Sequence, residues 1–172
     1  MKTLSHVIFV SALSALSATS PAHAGAAGSN PMPMSGEHIG ADDGVLRVKS
    51  AYGVDETIAR LKADIAAKGI KFFDQIDQQK LAADAGVKLN PSTLLIFGNP
   101  PLGTQFLTAN PFSGLDWPVR MLVLKDAAGQ VWVAWSDFTY IAHRHHITDR
   151  DPQFAMATMV SASIASAAQA KN

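Results

Sequence analysis

The chain has 172 residues, with 14 basic and 14 acidic side chains and no cysteine. Because these charges cancel, the composition argues against a nucleic-acid partner held through phosphate contacts. Without cysteine no disulfide can form, so a hydrophobic core must hold the protein together, and a domain of about 150 residues can bury enough surface for that. We expect a single domain, and the sequence indicates no cofactor.

Residues 1–24 are typical of a signal peptide. Lys2 precedes an apolar stretch from Val7 to Ala18, which is too short to span a bilayer. Residues 22–24 (Ala-His-Ala) place small side chains at the two positions that restrict signal cleavage. The pattern predicts cleavage after residue 24, a periplasmic or secreted protein, and no membrane span after cleavage.

Residues 25–43 are rich in Gly, Ala, Ser and Pro and have no apolar period. Such composition is typical of a flexible leader. We expect the folded domain to occupy residues 44–170.

The apolar pattern of residues 44–170 predicts alternating strands and helices. In chain order we expect strands near 46–49, 70–76, 93–97, 121–124 and 131–135, and helices near 54–68, 78–85, 138–145 and 151–167, with a loop or short helix at 105–109. The expected inner stripes are Val54, Ile58, Leu61 and Ile65 in the first helix and Met156, Val160, Ile164 and Ala167 in the last. This order indicates the α+β class: a single compact domain, with helices packed against a mixed sheet of about five strands.

Two segments carry a family resemblance. Phe97-Gly98-Asn99-Pro100, with Gly103-Thr104 after it, ends a buried strand, and residues 114–120 (Gly-Leu-Asp-Trp-Pro-Val-Arg) enter the next one. Together with Arg144-His145 they resemble the uncharacterised bacterial family known as domain of unknown function 302. One departure is Gln78, where similar members often carry His. The resemblance implies a compact α+β domain and no known reaction.

Three residues are candidates for ligand binding. Asn99 could position a ligand through its amide, although Asn before Pro is also ordinary turn chemistry. Arg120 is the one charge in an apolar strand, so an inward guanidinium there needs an anionic partner. That partner is either structural, with Asp116, Asp137 and Asp77 as candidates, or an anionic ligand. His145 falls on the inner face of its helix, as a core residue or as part of a cleft.

A metal site is the alternative. His143 and His146 lie three apart and share a helix face, so they could offer two imidazoles to zinc or copper. Met32, Met34 and His38 in the leader could help to bind copper. Two histidines at bare helical spacing are weak support, because stable sites use three or four ligands.

The sequence therefore favours an exported, non-catalytic domain that binds a small molecule or another protein through Asn99, Arg120 and His145. Metal handling through His143 and His146 is the second hypothesis. A third is an enzyme with His145 as general base, which lacks an evident nucleophile or second acid. Homodimerisation is left open.

Overall fold

The computed structural model describes residues 43–170, so the expected signal peptide and nearly all of the expected leader lie outside the described residues. The strands are β1 (Val45–Lys49), β2 (Lys71–Asp77), β3 (Ser92–Gly98), β4 (Val119–Lys125) and β5 (Val131–Ser136). The helices are α1 (Val54–Ala67), α2 (Gln78–Asp84), α3 (Pro100–Ala109), α4 (Phe138–Arg144) and α5 (Asp151–Ser166), and a 3-10 turn covers Pro111–Leu115. Within residues 43–170, no helix has both the length and the apolar character needed to cross a membrane.

The five strands form one sheet in the order β1-β5-β4-β3-β2. The α+β class and the number of strands are as expected. The expectation of a mixed sheet is wrong, because all four pairings are antiparallel. The helices after β2 and β3 return the chain to the same end of the sheet, so each links antiparallel neighbours. Only α1 crosses the sheet, and it joins two strands at opposite edges that never pair.

The main core lies between one face of the sheet and helices α1 and α5. The α1 stripe behaves as its spacing predicts, with Leu61 and Ile65 fully buried. Leu95, Met121 and Val123 supply the sheet side of this core. The residues that alternate with them lie on the opposite face of the sheet and are only half-buried: Leu94, Ile96, Leu122 and Leu124.

The expected inner stripe of helix α5 is correct at three of its four positions: Ile164 is fully buried, and Val160 and Ala167 are partly buried against the main core. Met156 was assigned to the inner stripe, but half of its surface is exposed. The buried residues are Phe154, Ala157, Ser161, Ile164 and Ala165. The helix is apolar on several sides, so periodicity alone does not fix its rotation, and a small polar residue occupies a core position.

Helix α3 begins five residues earlier than expected. Asn99 is its N-cap, with its side-chain oxygen accepting from the Leu102 amide at 3.4 Å. Pro100 is tolerated at the first helical position because the amide hydrogen it lacks would have had no partner within the helix. The Pro-Pro pair therefore starts a helix at the end of β3 rather than only ending the strand.

The β4–β5 hairpin forms in the expected place, with Lys125 opposite Val131. Its turn is fastened by Asp126, whose carboxylate accepts from the indole Nε1–H of Trp132 at 2.8 Å and from the Gln130 amide at 2.9 Å. These donors favour the charged form, the indole most of all, and they lower the pKa of Asp126 below its ordinary value of 3.8.

Replacing Trp132 by Phe should raise the pKa of Asp126 toward its ordinary value, because the largest cause of its depression is removed. A depressed carboxyl pKa stabilises the fold above the unfolded-state pKa, and this stabilisation disappears as the pH falls through the native value. Stability of the wild type should therefore drop more steeply below about pH 4 than that of Trp132→Phe. Carbon-13 NMR titration of the Asp126 carboxyl measures the pKa directly, and identical titration curves would contradict the assignment.

Candidate functional site

Asp116 is the centre of the best-defined polar cluster. It follows the 3-10 turn, and its amide donates to the Ser113 carbonyl at 2.9 Å. Asn110 caps the start of that turn and also donates from its side chain to the His145 carbonyl at 2.9 Å. The segment before β4 is thereby fixed to the end of α4, and the Asp116 side chain is only 6% exposed.

Three cationic or proton-carrying groups converge on the Asp116 carboxylate. Arg120 donates from Nη2 to Oδ1 at 3.1 Å and to the Leu115 carbonyl at 2.9 Å. Arg144 donates from Nη1 to both carboxylate oxygens at 3.2 Å. His145 Nε2 lies 2.6 Å from Oδ2, and because a carboxylate can only accept, Nε2 carries the hydrogen.

Arg120 does not point into the core, and the expectation that it faces inward is wrong. Its side chain is 44% exposed. It alternates with buried Met121 and so lies on the other face of β4 from the main core. Of its three proposed structural partners, Asp116 is the one it contacts. Arg47 on β1 is less exposed than Arg120, at 21%.

His145 points inward, as its helical position predicts. It is 6% exposed and caps the C-terminus of α4. Its contact with Asp116 holds the imidazole in one orientation. This burial suits a positioning group, whereas a general base must reach a substrate.

Trp117, the neighbour of Asp116, packs against two glycines. A Cβ at Gly98 would lie 3.3 Å from the indole, and a Cβ at Gly103 would overlap the ring outright. The indole also meets Phe73 edge-on, with ring centroids 6.1 Å apart. Gly98 at the end of β3 and Gly103 in α3 are therefore needed for close approach of the indole.

An apolar pocket opens beside Trp117, between α3, α5 and the ends of the strands. Its cavity volume for a water-sized molecule is about 30 Å³. The lining residues are Ile70, Phe97, Gly98, Asn99, Leu102, Gly103, Phe106, Trp117, Val119, Phe138, Ala157, Val160 and Ser161. Asn99 is thus at the rim of this pocket, while Arg120 and His145 are in the Asp116 cluster, so the three candidate residues divide between two adjoining places.

The histidines of the metal hypothesis are both exposed. His143 is in the last turn of α4, and His146 lies beyond the helix with a positive φ of 52°. Within residues 43–170 no group of three or more His, Asp or Glu side chains is placed to hold a metal ion. Met32, Met34 and His38 lie outside the described residues.

The family model described as Domain of unknown function DUF302 matches residues 46–170, which is most of the chain. The chain belongs to the DUF302 family. A solved structure, that of an uncharacterized conserved DUF302 protein from Bacillus stearothermophilus, has the same fold with a TM-score of 0.67. It is 18% identical and covers 73% of this chain and 98% of its own.

Curated relatives carry a different name. The chain is 38% identical over 106 residues to proteins named fluoride-specific ion channel FluC 1 from Brucella suis and Brucella abortus. The match covers 62% of this chain and 42% and 39% of those proteins. The chain therefore spans about two-fifths of the length of these relatives.

In this DUF302 domain the separate sequence segments that carry the resemblance meet at one dipeptide, Asp116-Trp117. The segment with Gly98 and Gly103 packs against the indole. Arg120 and the Arg144-His145 pair contact the carboxylate. Sequence reasoning missed Asn110, the pairing of Arg144 and the pocket position of Ser161. An Asn directly before a Pro-initiated turn was the one available signal for Asn110.

Proposed function

We propose that this protein is an exported, non-catalytic domain that binds a small anion at Arg120 and Arg144. The support for export is the signal-peptide pattern of residues 1–24. The support for an anion is the charge of the Asp116 cluster, which is the observation that carries the proposal. Two guanidinium groups share one buried carboxylate, so the cluster keeps an excess of positive charge beside solvent.

Arg120 and Arg144 also have N–H groups that remain available to a ligand. Each uses a single Nη group on the protein, and among residues 43–170 neither its Nε–H nor its other Nη group meets an acceptor. Their side chains are 44% and 50% exposed, so water and small solutes can reach them. Guanidinium groups bind oxyanions through such paired N–H groups, and a carboxylate beneath them holds them in place.

The names of the relatives suggest one anion to include in a binding test. The matching proteins from Brucella are named fluoride-specific ion channels, and this chain corresponds to a part of them. We include fluoride among the test anions for that reason, beside phosphate and acetate, which suit a guanidinium fork. The partner that this proposal implies for the domain is a membrane channel for a small anion.

The test is calorimetric titration of the protein with fluoride, phosphate and acetate at low ionic strength. Saturable binding of at least one anion is expected, and Arg120→Gln or Arg144→Gln should weaken it about tenfold or more, because a charged hydrogen bond is lost. The control is Arg60→Gln. Within residues 43–170 the acidic partner of Arg60 is Glu56, and its guanidinium also lies 3.7 Å from the centroid of the Tyr52 ring, so it belongs to no cluster with excess positive charge.

Two results would refute the proposal. One is the absence of saturable binding for all three anions. The other is an equal loss in Arg60→Gln and in the two cluster variants, which would mean that only net charge matters.

A further inference from the structure

Ser161 is buried on α5 without a hydrogen bond. It is 2% exposed and lines the pocket beside Trp117. Hydroxyl groups elsewhere on the same helix bond back to a carbonyl: Thr158 donates to the Phe154 carbonyl at 2.9 Å, and Ser166 donates to the Ser163 carbonyl at 2.7 Å. Among residues 43–170 the Ser161 hydroxyl has no such partner, so it is available to a molecule in the pocket that this residue lines.

Trp117, which lines the same pocket, carries a second polar group without a hydrogen-bond partner among residues 43–170. The indole Nε1–H of Trp132 has a carboxylate partner, whereas that of Trp117 has no acceptor within the described part of the chain. The indole lines the pocket together with Gly98 and Gly103. The pocket wall is otherwise almost entirely apolar. An indole N–H and a hydroxyl on residues that line an otherwise apolar pocket suit a ligand with one oxygen atom on a short apolar body.

We infer that this pocket is a second binding site, separate from the anion site, for the small apolar end of a molecule with one hydroxyl or carbonyl oxygen. Its cavity volume of about 30 Å³ exceeds the roughly 10–15 Å³ needed for one water. It is well below the roughly 150 Å³ of a cavity that accepts benzene. An alkyl end of a few carbon atoms fits this range. The oxygen accepts from the Trp117 indole or pairs with the Ser161 hydroxyl.

Two small ligands test the polar and the apolar contacts of this pocket separately. 2-Propanol supplies a three-carbon body with one oxygen, and xenon supplies an apolar body without one. Both are titrated into the protein while nitrogen-15 NMR follows the Trp117 indole N–H and the amides of Gly98 and Gly103. Saturable shifts are expected at these three groups with either probe.

Variants then identify the contacts. Ser161→Ala should weaken 2-propanol about fivefold to tenfold, the value of one hydrogen bond, and leave xenon unchanged. The control Ser163→Ala removes an exposed hydroxyl from the same helix and should change neither. Ala157→Leu should fill the pocket and abolish both. Val160→Leu narrows the pocket from a half-buried position and gives a second filling variant if Ala157→Leu does not fold.

Shifts that never saturate in the wild type would overturn the inference. So would equal weakening of 2-propanol in Ser161→Ala and Ser163→Ala, or undiminished binding in a folded filling variant. None of these results depends on anion binding, because Arg120 and Arg144 do not line the pocket.

Discussion

Replacing Asp116 by alanine should lower the free energy of unfolding by about 3 kcal/mol. Removing one partner of a buried ionic cluster typically costs about 3–5 kcal/mol, because the remaining groups lose their compensation. We expect the lower end of this energy range because Arg120 and Arg144 are half-exposed and can turn toward water. His145 cannot, since it is 6% exposed, and its Nε2–H would be left without an acceptor.

Urea unfolding measures this effect, and Asp84→Ala is the matched control. Asp84 also pairs with a basic side chain, Lys80, but both are well exposed at 60% and 69%. Surface pairs of this kind contribute about 0–1 kcal/mol. Equal urea midpoints for Asp116→Ala and Asp84→Ala would show that the cluster is not a structural centre.

Gly103→Ala should destabilise the protein by about 2–3 kcal/mol, although alanine favours helices more than glycine does by about 1 kcal/mol. The added methyl group would occupy the place of the Trp117 indole. The ring must then leave its site on α3, and its contacts with Gly98 and Phe73 are lost with it. Local overpacking outweighs helix propensity here.

The expected signature of Gly103→Ala is a lower urea midpoint together with a changed environment of the Trp117 indole N–H in the NMR spectrum. Gly114→Ala is the control, because a Cβ there meets only the Leu107 side chain at 3.8 Å, an ordinary contact. It should change stability by no more than about 0.5 kcal/mol. A Gly103→Ala protein as stable as wild type would contradict the packing of the indole.

Local periodicity in the sequence was sufficient to predict much of the fold. The α1 stripe and the β4–β5 hairpin each depend on neighbouring residues, so their patterns appear directly in the sequence. Strand pairing depends on residues far apart in the chain, and nothing local distinguishes a mixed from an antiparallel sheet. Helix α5 is apolar on several sides, so its contacts with α4, α1, α3 and β5 decide that Ala157 and Ser161, rather than Met156, face inward.

The candidate site could be predicted from the sequence only in part. The need of a guanidinium for an anion left Asp116, Asp137 and Asp77 open as partners of Arg120, and the structure shows the contact with Asp116. The inward position of His145 follows from helical spacing. The convergence of Arg144 on the same carboxylate could not be foreseen, because it joins positions 28 residues apart across two elements. Asn99 is conventional capping chemistry at the rim of a pocket whose other walls come from α3, α5 and the sheet.

Within residues 43–170, strand β1 pairs with β5 and with no other strand. Its partner therefore lies about ninety positions further along the chain. The end of the domain closes the same region, since the Ser50 hydroxyl and the Ala51 amide both donate to the Ala168 carbonyl. Contacts of such long range form late in folding. A chain that crosses a membrane with its amino terminus first would therefore arrive with β1 unpaired. It could complete its sheet only after β5 had followed, which ends at Ser136 of the 172 residues.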